Sequence, residues 1–364
     1  MKNEQLFYML ALTHVPGVAD SLAKNLIAYC GGPKEVFSMS KSALLRVPGI
    51  GPKVVSELCA FKDYNVVEKE FMQLERDGVK MIPIFHESYP WRLKSVYNSP
   101  LFLYARGGCD LNSQRTVAIV GTRKPSVYGR HLCQGLVKDL VKYECTIVSG
   151  LAYGIDGIAH QTALESKLPT AAVLAHGLHL IYPSKHGNMA RRMIESNGAV
   201  LSQFNYFQKP DRENFPKRNG VIAGLVDALV VVESPKKGGS MISAEYAWDY
   251  DRPIFVFPGR TSDRNSGGCL SLIKQHKASL IESGEDLARN MNWTEEKSAR
   301  QLPLFELSSD EMLIVSVLQH EKSLDIEKLH HKSGLGSGKL AYLLLELEFK
   351  KMVICRPGKL YELA

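Results

Sequence analysis

The sequence predicts an α/β protein whose central domain is a doubly wound, mostly parallel sheet. The first observation is the stretch 116–163, which runs twice through strand, glycine turn and helix and so predicts a βαβ unit. The second is that this alternation continues to about residue 275. The third is composition: 364 residues with 45% hydrophobic and 23% charged side chains suffice for two or three domains with a core.

Residues 1–70 are helical in pattern and contain two related turns. The segment VPGV at 15–18 precedes one helix, and VPGIG at 47–51 precedes another. The turns resemble those of helix-hairpin-helix (SAM-like) domains, whose backbone N–H groups can face DNA phosphate, although Ala19 replaces the second glycine of the first copy. Such hairpins also serve as scaffold, and residues 1–70 carry almost no net charge, so both roles stay open.

Residues 71–290 are predicted to form the sheet domain. We expect strands over 79–85, 101–105, 116–120, 146–149, 170–175, 199–204, 228–233 and 254–257. Helices are expected over 128–141, from near 154, and over 186–196, 215–225, 240–250 and 266–275. The strand at 228–233 is a continuous apolar run up to its last residue, which is typical of a parallel strand covered on both faces.

Residues 291–310 form a polar linker, and residues 311–364 change character. Helices are predicted over 311–319, 326–332 and 337–350, followed by a hairpin of strands 352–356 and 360–363 around a turn at 357–359. This is the order of a winged-helix domain. Its third helix balances two lysines against two glutamates, so we expect a protein contact here more than sequence-specific DNA binding.

The composition narrows the class of protein. No apolar run approaches the roughly 18 residues of a membrane span, and the N-terminus lacks the pattern of a secretory signal. Seven cysteines without a C-x-x-C pair are typical of a reduced, cytoplasmic protein and argue against a zinc site. The net charge of +7, concentrated in the middle section, fits either a polyanionic partner or a mildly basic enzyme.

Glycine-rich turns at the carboxyl ends of the strands predict a phosphate-binding edge. Parallel strands bring these turns together, and glycine backbone and helix N-termini there can approach an anion. Arg123, in the first turn, is a fixed cation that can bind phosphate in bidentate fashion. The turns are Gly121-Thr122-Arg123, Ser149-Gly150, Gly177, Tyr182 to Lys185, Phe215 to Asn219 and Gly238-Gly239-Ser240.

Aromatic and cationic residues are interleaved between residues 204 and 218. They are Phe204, Tyr206, Phe207 and Phe215 with Lys209, Arg212, Lys217 and Arg218. Unpaired bases stack on aromatic rings while phosphates pair with cations, so this composition suits a single-stranded nucleic acid site. The alternative is that part of these aromatic side chains belongs to the core, as we expect for Phe204.

Support for catalysis or a bound nucleotide cofactor is weak. The string SGLGSGK at 333–339 is not a Walker A loop, because Ser333 replaces its first glycine and Leu340 follows its lysine. The turn after Val120 is not G-x-G-x-x-G. Asp156 and His160 lie on one helix face as a possible acid–base pair; equally, Asp156 can brace the turn and His160 can bond to it. We therefore expect no cofactor, no metal and no catalytic residue.

Six blocks in a fixed order resemble the DNA-processing protein family DprA, also called Smf. They are residues 117–129, 149–160, 181–186, 215–225, 230–247 and 256–260. The resemblance is strong over roughly 80–285 and extends by domain order to both ends. It implies a Rossmann-like domain in a non-catalytic, cytoplasmic bacterial protein. Such a protein binds and protects incoming single-stranded DNA during natural transformation, loads the RecA recombinase onto it, and forms homodimers through that domain.

Carried over residue by residue, the resemblance implies a set of DNA contacts. Arg123 and Lys185 match phosphate ligands, and the same pocket would be lined by Gly121, Ser149, Gly150, Gly177, Arg218, Asn219, Gly239 and Ser240. The composition of the turns adds Thr122, Phe215 and Lys217. The chain departs from the family pattern at His179, Gly220, His186, Gln203 and Leu270, where aspartate, arginine, asparagine, glutamate and asparagine are usual.

Three functions stay open on the sequence. The first is a binder that transfers single-stranded DNA to a recombinase. The second is a nucleotide-processing enzyme of the phosphoribohydrolase class, although Pro235 to Ser240 with Glu245 has the wrong spacing for the signature P-G-G-x-G-T-x-x-E. The third is a scaffold for recombination partners that has no affinity for DNA.

Overall fold

The structure, a computed structural model, describes residues 2–294, 308–321, 323–350, 352–356 and 360–363. Its contacts divide the chain into two compact units, residues 1–296 and 297–364. Most of the linker predicted at 291–310 lies outside the described residues, and so does the turn predicted at 357–359.

The first unit begins with a helical region. Its helices are α1 (Lys2–His14), α2 (Asp20–Cys30), α3 (Pro33–Ser38), α4 (Lys41–Leu44), α5 (Pro52–Ala60) and α6 (Tyr64–Arg76). Gly17 and Gly49, in the two predicted turns, each have a φ of +83°, which favours glycine. A β-carbon on Gly17 would lie 3.0 Å from Val54 of α5, so the first turn packs against the helix that follows the second. The predicted helix-hairpin-helix arrangement is confirmed.

Strands and helices then alternate to the end of the first unit. In order they are β1 (Lys80–Pro83), α7 (Trp91–Lys94), β2 (Phe102–Gly107), β3 (Thr116–Val120), α8 (Val127–Asp139), β4 (Thr146–Ser149), α9 (Ile155–Glu165), β5 (Thr170–Leu174), α10 (Gly187–Glu195), β6 (Ala199–Ser202), α11 (Asn214–Gly224), β7 (Ala228–Val231), α12 (Gly239–Asp249), β8 (Ile254–Val256), α13 (Gly267–Lys274), β9 (Ser279–Leu280) and α14 (Gly284–Asn290). The strand β9 and the helices α7 and α14 were not predicted.

The strands form one nine-stranded sheet in the order β1-β2-β6-β5-β4-β3-β7-β8-β9. The strands from β6 to β9 are parallel, whereas β2 is antiparallel to both of its neighbours. Every residue of β3, β4, β5 and β7 is buried, because helices cover both faces of the sheet. The predicted doubly wound, mostly parallel sheet is confirmed.

The two faces have separate apolar cores. Helices α8, α9 and α14 pack on one face around side chains such as Ile119 and Ile147. Helices α10, α11 and α12 pack on the other around side chains such as Val120 and Val148, and this core continues into the helical region. The helices that follow β3, β4, β5, β6 and β7 all begin at the carboxyl ends of these strands.

The helical region is joined to the sheet by a buried carboxylate. Glu70 of α6 accepts hydrogen bonds from the Tyr104 hydroxyl at 2.9 Å and from the backbone N of Tyr206 at 2.7 Å. Its other carboxylate oxygen lies 2.9 Å from Nε2 of His14. One carboxylate thus connects α1, α6, β2 and the loop after β6, which holds that loop against the helical region.

The second unit has its own core and sheet. It contains α15 (Ser309–His320), β10 (Leu324–Asp325), α16 (Ile326–Ser333), α17 (Ser337–Phe349), β11 (Val353–Arg356) and β12 (Leu360–Leu363). The strands form an antiparallel sheet in the order β10-β12-β11. The winged-helix arrangement is confirmed, and β10 was not predicted. In the described part of the chain, no helix is long and apolar enough to cross a membrane.

Candidate nucleic-acid interface

The surface of interest is the edge of the sheet where β6, β5, β4, β3 and β7 end, which we call the carboxyl edge. These five strands are consecutive neighbours, so the turns that follow them lie side by side. With about 4.8 Å between adjacent strands, the carboxyl edge extends over roughly 19 Å. The predicted site residues lie at the end of β4 (Ser149), in these turns, or in the first two turns of α11 and α12.

Two arginines share one aromatic ring on this edge. The guanidinium carbon of Arg123 lies 5.4 Å from the centroid of the Phe215 ring, and that of Arg218 lies 5.8 Å from it. Arg123 is exposed, Phe215 is half-buried, and Arg218 is only 5% exposed. Within the described residues, no carboxylate pairs with Arg123. Cation–π attraction therefore holds the Arg123 guanidinium at the surface while its N–H donors stay available to an anion.

Arg218, by contrast, is used inside the fold. Its Nη1 donates to the carbonyl oxygens of Gly150 at 2.5 Å and Val173 at 2.6 Å. Burial lowers the pKa of Arg218 to about 10, although the nearby Asp156 carboxylate acts in the opposite direction. The side chain joins the turn after β4 to β5. Its guanidinium is buried and therefore not exposed for the DNA contact that the sequence predicted.

Several other predicted residues also use their polar groups in hydrogen bonds within the protein. The bonds run from Ser149 Oγ to Ile119 O (2.6 Å), from Ser240 Oγ to Ser234 Oγ (2.8 Å), from Asn219 Nδ2 to Gly239 O (3.2 Å) and from Gly177 N to Gln208 O (2.8 Å). Gly150 and Gly177 are buried as well. These residues shape the turns of the carboxyl edge, and their side chains present little to a ligand.

The turn that carries Arg123 is held by Glu233, which follows β7. The Glu233 backbone oxygen accepts from the N of Thr122 at 2.7 Å, and its carboxylate accepts from the N of Ser126 at 2.9 Å and from its hydroxyl at 2.5 Å. A β-carbon on Gly121 would lie 2.6 Å from Ile155, so no side chain fits there. Glu233 was not among the predicted residues; its signal was an acid directly after a buried strand.

Exposed cations line the carboxyl edge. They are Arg123, Lys124, Lys185, Lys217, Lys236 and Lys237. Lys185 lies in the short turn Ser184–His186 after β5, and Lys217 lies in the first turn of α11. Gly239, the first residue of α12, is exposed and has open space around its α-carbon. The carboxyl edge thus combines exposed cationic side chains with a helix N-terminus, both of which attract anions.

The aromatic residues after β6 are arranged differently from the prediction. Tyr206, 3% exposed, occupies the core position that was expected for Phe204, and Phe204 is half-buried. Phe207 is 52% exposed, with its ring centroid 5.9 Å from that of His179. His179 Nδ1 donates to the backbone oxygen of Tyr206 at 2.7 Å. An exposed ring is thereby held beside the turn that follows β5.

Asp156 and His160 do not form an acid–base pair. Asp156 accepts from the backbone N of Gly150 at 3.2 Å, which is the bracing role that the sequence left open. His160 does not bond to Asp156: its Nδ1 donates to Thr170 Oγ1 at 2.7 Å, and that hydroxyl donates to Ile147 O. His160 is fully buried. The two side chains therefore stabilise the turn after β4 and the start of β5 separately.

Acid is expected to destabilise the first unit through His160. Burial lowers the pKa of His160 from 6.5 to about 3, so only the unfolded chain takes up this proton at mild acidity. The free energy of unfolding is unaffected above pH 6.5 and falls by up to about 1.4 kcal/mol per pH unit below it. Urea unfolding at a series of pH values measures this. His160→Gln, which cannot titrate, should lose that part of the pH dependence; an unchanged dependence would contradict the assignment.

Comparison with known proteins identifies the family. The family model described as DNA recombination-mediator protein A matches residues 80–292, which include the whole carboxyl edge. The chain belongs to this family. The DNA processing protein DprA of Bacillus subtilis is 37% identical over 244 residues, covering 64% of this chain and 82% of that protein. The DprA of Streptococcus pneumoniae is 38% identical over 273 residues, covering 70% and 96%.

Two solved structures of the family are similar to this one. The X-ray structure of DprA from Streptococcus pneumoniae has a TM-score of 0.67 and 29% identity, and covers 79% of this chain and 98% of that chain. DNA processing protein A from Helicobacter pylori, whose structure concerns its single-stranded DNA binding mode, has a TM-score of 0.53 and 28% identity, and covers 59% and 97%. The family resemblance seen in the six sequence blocks is confirmed.

Proposed function

We propose that this chain binds single-stranded DNA along the carboxyl edge of its sheet. The observation that carries the proposal is the pair of Arg123 and Phe215, an exposed guanidinium held over an aromatic ring within a row of lysines. An unpaired strand can place phosphates on the cations and bases on aromatic rings, whereas the bases of a duplex are already stacked and paired. The binding mode described for the Helicobacter pylori relative supports the same ligand here.

The predicted contacts divide into two roles under this proposal. Arg123, Lys185 and Lys217 bind phosphates, and Phe215 offers a ring to a base. Gly121 and Gly239 contribute accessible backbone. Thr122, whose backbone N and O are bonded to Glu233 and Ile155, positions the neighbouring Arg123. The remaining predicted residues are buried and hold these groups in position. They are Ser149, Gly150, Gly177, Arg218, Asn219 and Ser240.

We also propose the cellular role that the family resemblance implies. The chain would protect incoming single-stranded DNA during natural transformation and load the RecA recombinase onto it. In this role it acts in the cytoplasm, away from membranes, as a homodimer formed through the Rossmann-like domain. It needs neither catalysis nor a cofactor, because holding a strand through its phosphates requires no reaction and no particular sequence.

A gel-shift comparison of single-stranded and duplex DNA of equal length tests the binding proposal. The full chain should bind single strands at least about tenfold more tightly than the duplex. Each phosphate contact contributes about 0.7 to the slope of log affinity against log salt, so Arg123, Lys185 and Lys217 together predict a slope of roughly −2. Equal affinity for duplex DNA would contradict the proposal. No affinity for DNA would favour the scaffold, and release of free base from a nucleoside monophosphate would favour the enzyme.

A further inference from the structure

A cleft between α8 and α9 adjoins the carboxyl edge. Its volume is about 640 Å³, which lies in the range of about 300–1,000 Å³ that small-molecule sites occupy. Arg123 lines this cleft and also lies over Phe215, so one guanidinium borders both the cleft and the carboxyl edge. A strand bound at the edge therefore has this cleft as its immediate continuation.

The cleft is positive on the side of α8. Arg123, Lys124 and Arg130 line it, and all three side chains are exposed. Glu165, at the end of α9, is the one carboxylate among the described lining residues, and its Oε1 accepts from Gln161 Nε2 at 2.5 Å. Three cations against one carboxylate give the cleft a net attraction for an anion.

The other side of the cleft carries an aromatic pair that is fixed before any ligand arrives. Tyr153 is 44% exposed, and its ring centroid lies 5.2 Å from that of His186 with the rings at 70°. His186 Nδ1 donates to the backbone oxygen of Leu151 at 2.8 Å. A β-carbon on Gly157 would lie 3.0 Å from the His186 ring, so the ring rests against the backbone of α9. A preset ring loses little freedom when a base stacks on it.

We propose that this cleft is a nucleotide subsite for the strand that the carboxyl edge binds. A base stacks on Tyr153, backed by His186, and the phosphate that follows pairs with Arg130. The cations alone would suit any anion, but an exposed aromatic ring in the same cleft favours an anion that carries a flat, stackable group. This inference rests on the proposed function and adds to it a subsite that includes His186, a position where the chain departs from the family pattern.

The full chain and a single-stranded oligonucleotide with one 2-aminopurine test the subsite. Tyr153→Ala should weaken binding about tenfold, the size of one lost base stack, and should reduce the quenching of 2-aminopurine fluorescence. Its salt slope should equal that of the wild type, because no phosphate contact is lost. Arg130→Gln should instead lower the slope by about 0.7. Tyr153→Phe should bind like the wild type, as should the control Tyr29→Ala, a half-exposed tyrosine on α2.

Three outcomes would overturn the subsite. The first is Tyr153→Ala affinity within about twofold of the wild type with unchanged quenching. The second is a loss for Tyr153→Phe as large as that for Tyr153→Ala, which would assign the contact to the hydroxyl. The third is an equal loss for Tyr29→Ala. If the wild type still binds single strands in preference to duplex DNA, only the subsite is wrong and the proposed function stands. If the wild type shows no such preference, the proposed function itself is wrong.

Discussion

Arg123→Glu is expected to weaken the binding of single-stranded DNA by at least about 100-fold. The substitution removes charge-assisted hydrogen bonds to phosphate, worth about 1.5–3 kcal/mol, and adds a carboxylate that repels the same phosphate. A 100-fold loss corresponds to about 2.8 kcal/mol. Fluorescence anisotropy with a labelled single strand measures the effect. Because the side chain is exposed and has no carboxylate partner among the described residues, the free energy of unfolding should change by less than about 0.5 kcal/mol.

Two further variants separate the geometry of Arg123 from net charge. Arg123→Lys keeps the charge but loses the planar, bidentate group over Phe215, so binding should weaken by about five- to tenfold. Lys138→Glu makes the same charge change as Arg123→Glu, at the far end of α8, and should leave binding nearly unchanged. If Lys138→Glu lost as much affinity as Arg123→Glu, the effect would be one of overall charge, and the assigned contact would be wrong.

The fold was predictable wherever its signal is local. Each long helix has its own apolar periodicity and each buried strand its own apolar run, and the alternation of strands and helices places the glycine turns at one edge of a parallel sheet. The strands β9 and β10 have two residues each, too short for any pattern. Four of the eight strands predicted in the sheet domain ran one or two residues too long, because the chain leaves the ladder where turn hydrogen bonds begin. An example is the hydrogen bond from Thr122 N to Glu233 O, whose two residues are far apart in the sequence.

The exposure of individual site residues was not predictable from the sequence. Arg123 and Arg218 both stand beside glycine turns, and both lie against Phe215, yet one faces solvent and the other is buried. The difference arises from the carbonyl oxygens of Gly150 and Val173, which are 68 and 45 residues from Arg218 in the chain. A local pattern of residue types identifies where cations gather, and only the packed sheet decides which of them a ligand can reach.

Arg218→Met is expected to lower the free energy of unfolding by about 2–6 kcal/mol, because two buried acceptors each lose a donor at a cost of about 1–3 kcal/mol. The variant leaves the carbonyl oxygens of Gly150 and Val173 without their donor. It also leaves Asp156, 7% exposed, without the nearby positive charge of Arg218. Urea unfolding measures the loss, with Arg123→Met as the matched control, since that exposed arginine should cost little stability.

The pH dependence of the Arg218→Met variant distinguishes a structural arginine from a DNA ligand. Burial already raises the pKa of Asp156 above its usual value against the opposing charge of Arg218. Without that charge the pKa rises further, so the folded variant binds a proton that the unfolded chain releases, and its stability deficit should narrow as the pH falls. A variant that unfolds like the wild type at every pH, yet no longer binds single strands, would show instead that Arg218 contacts DNA directly.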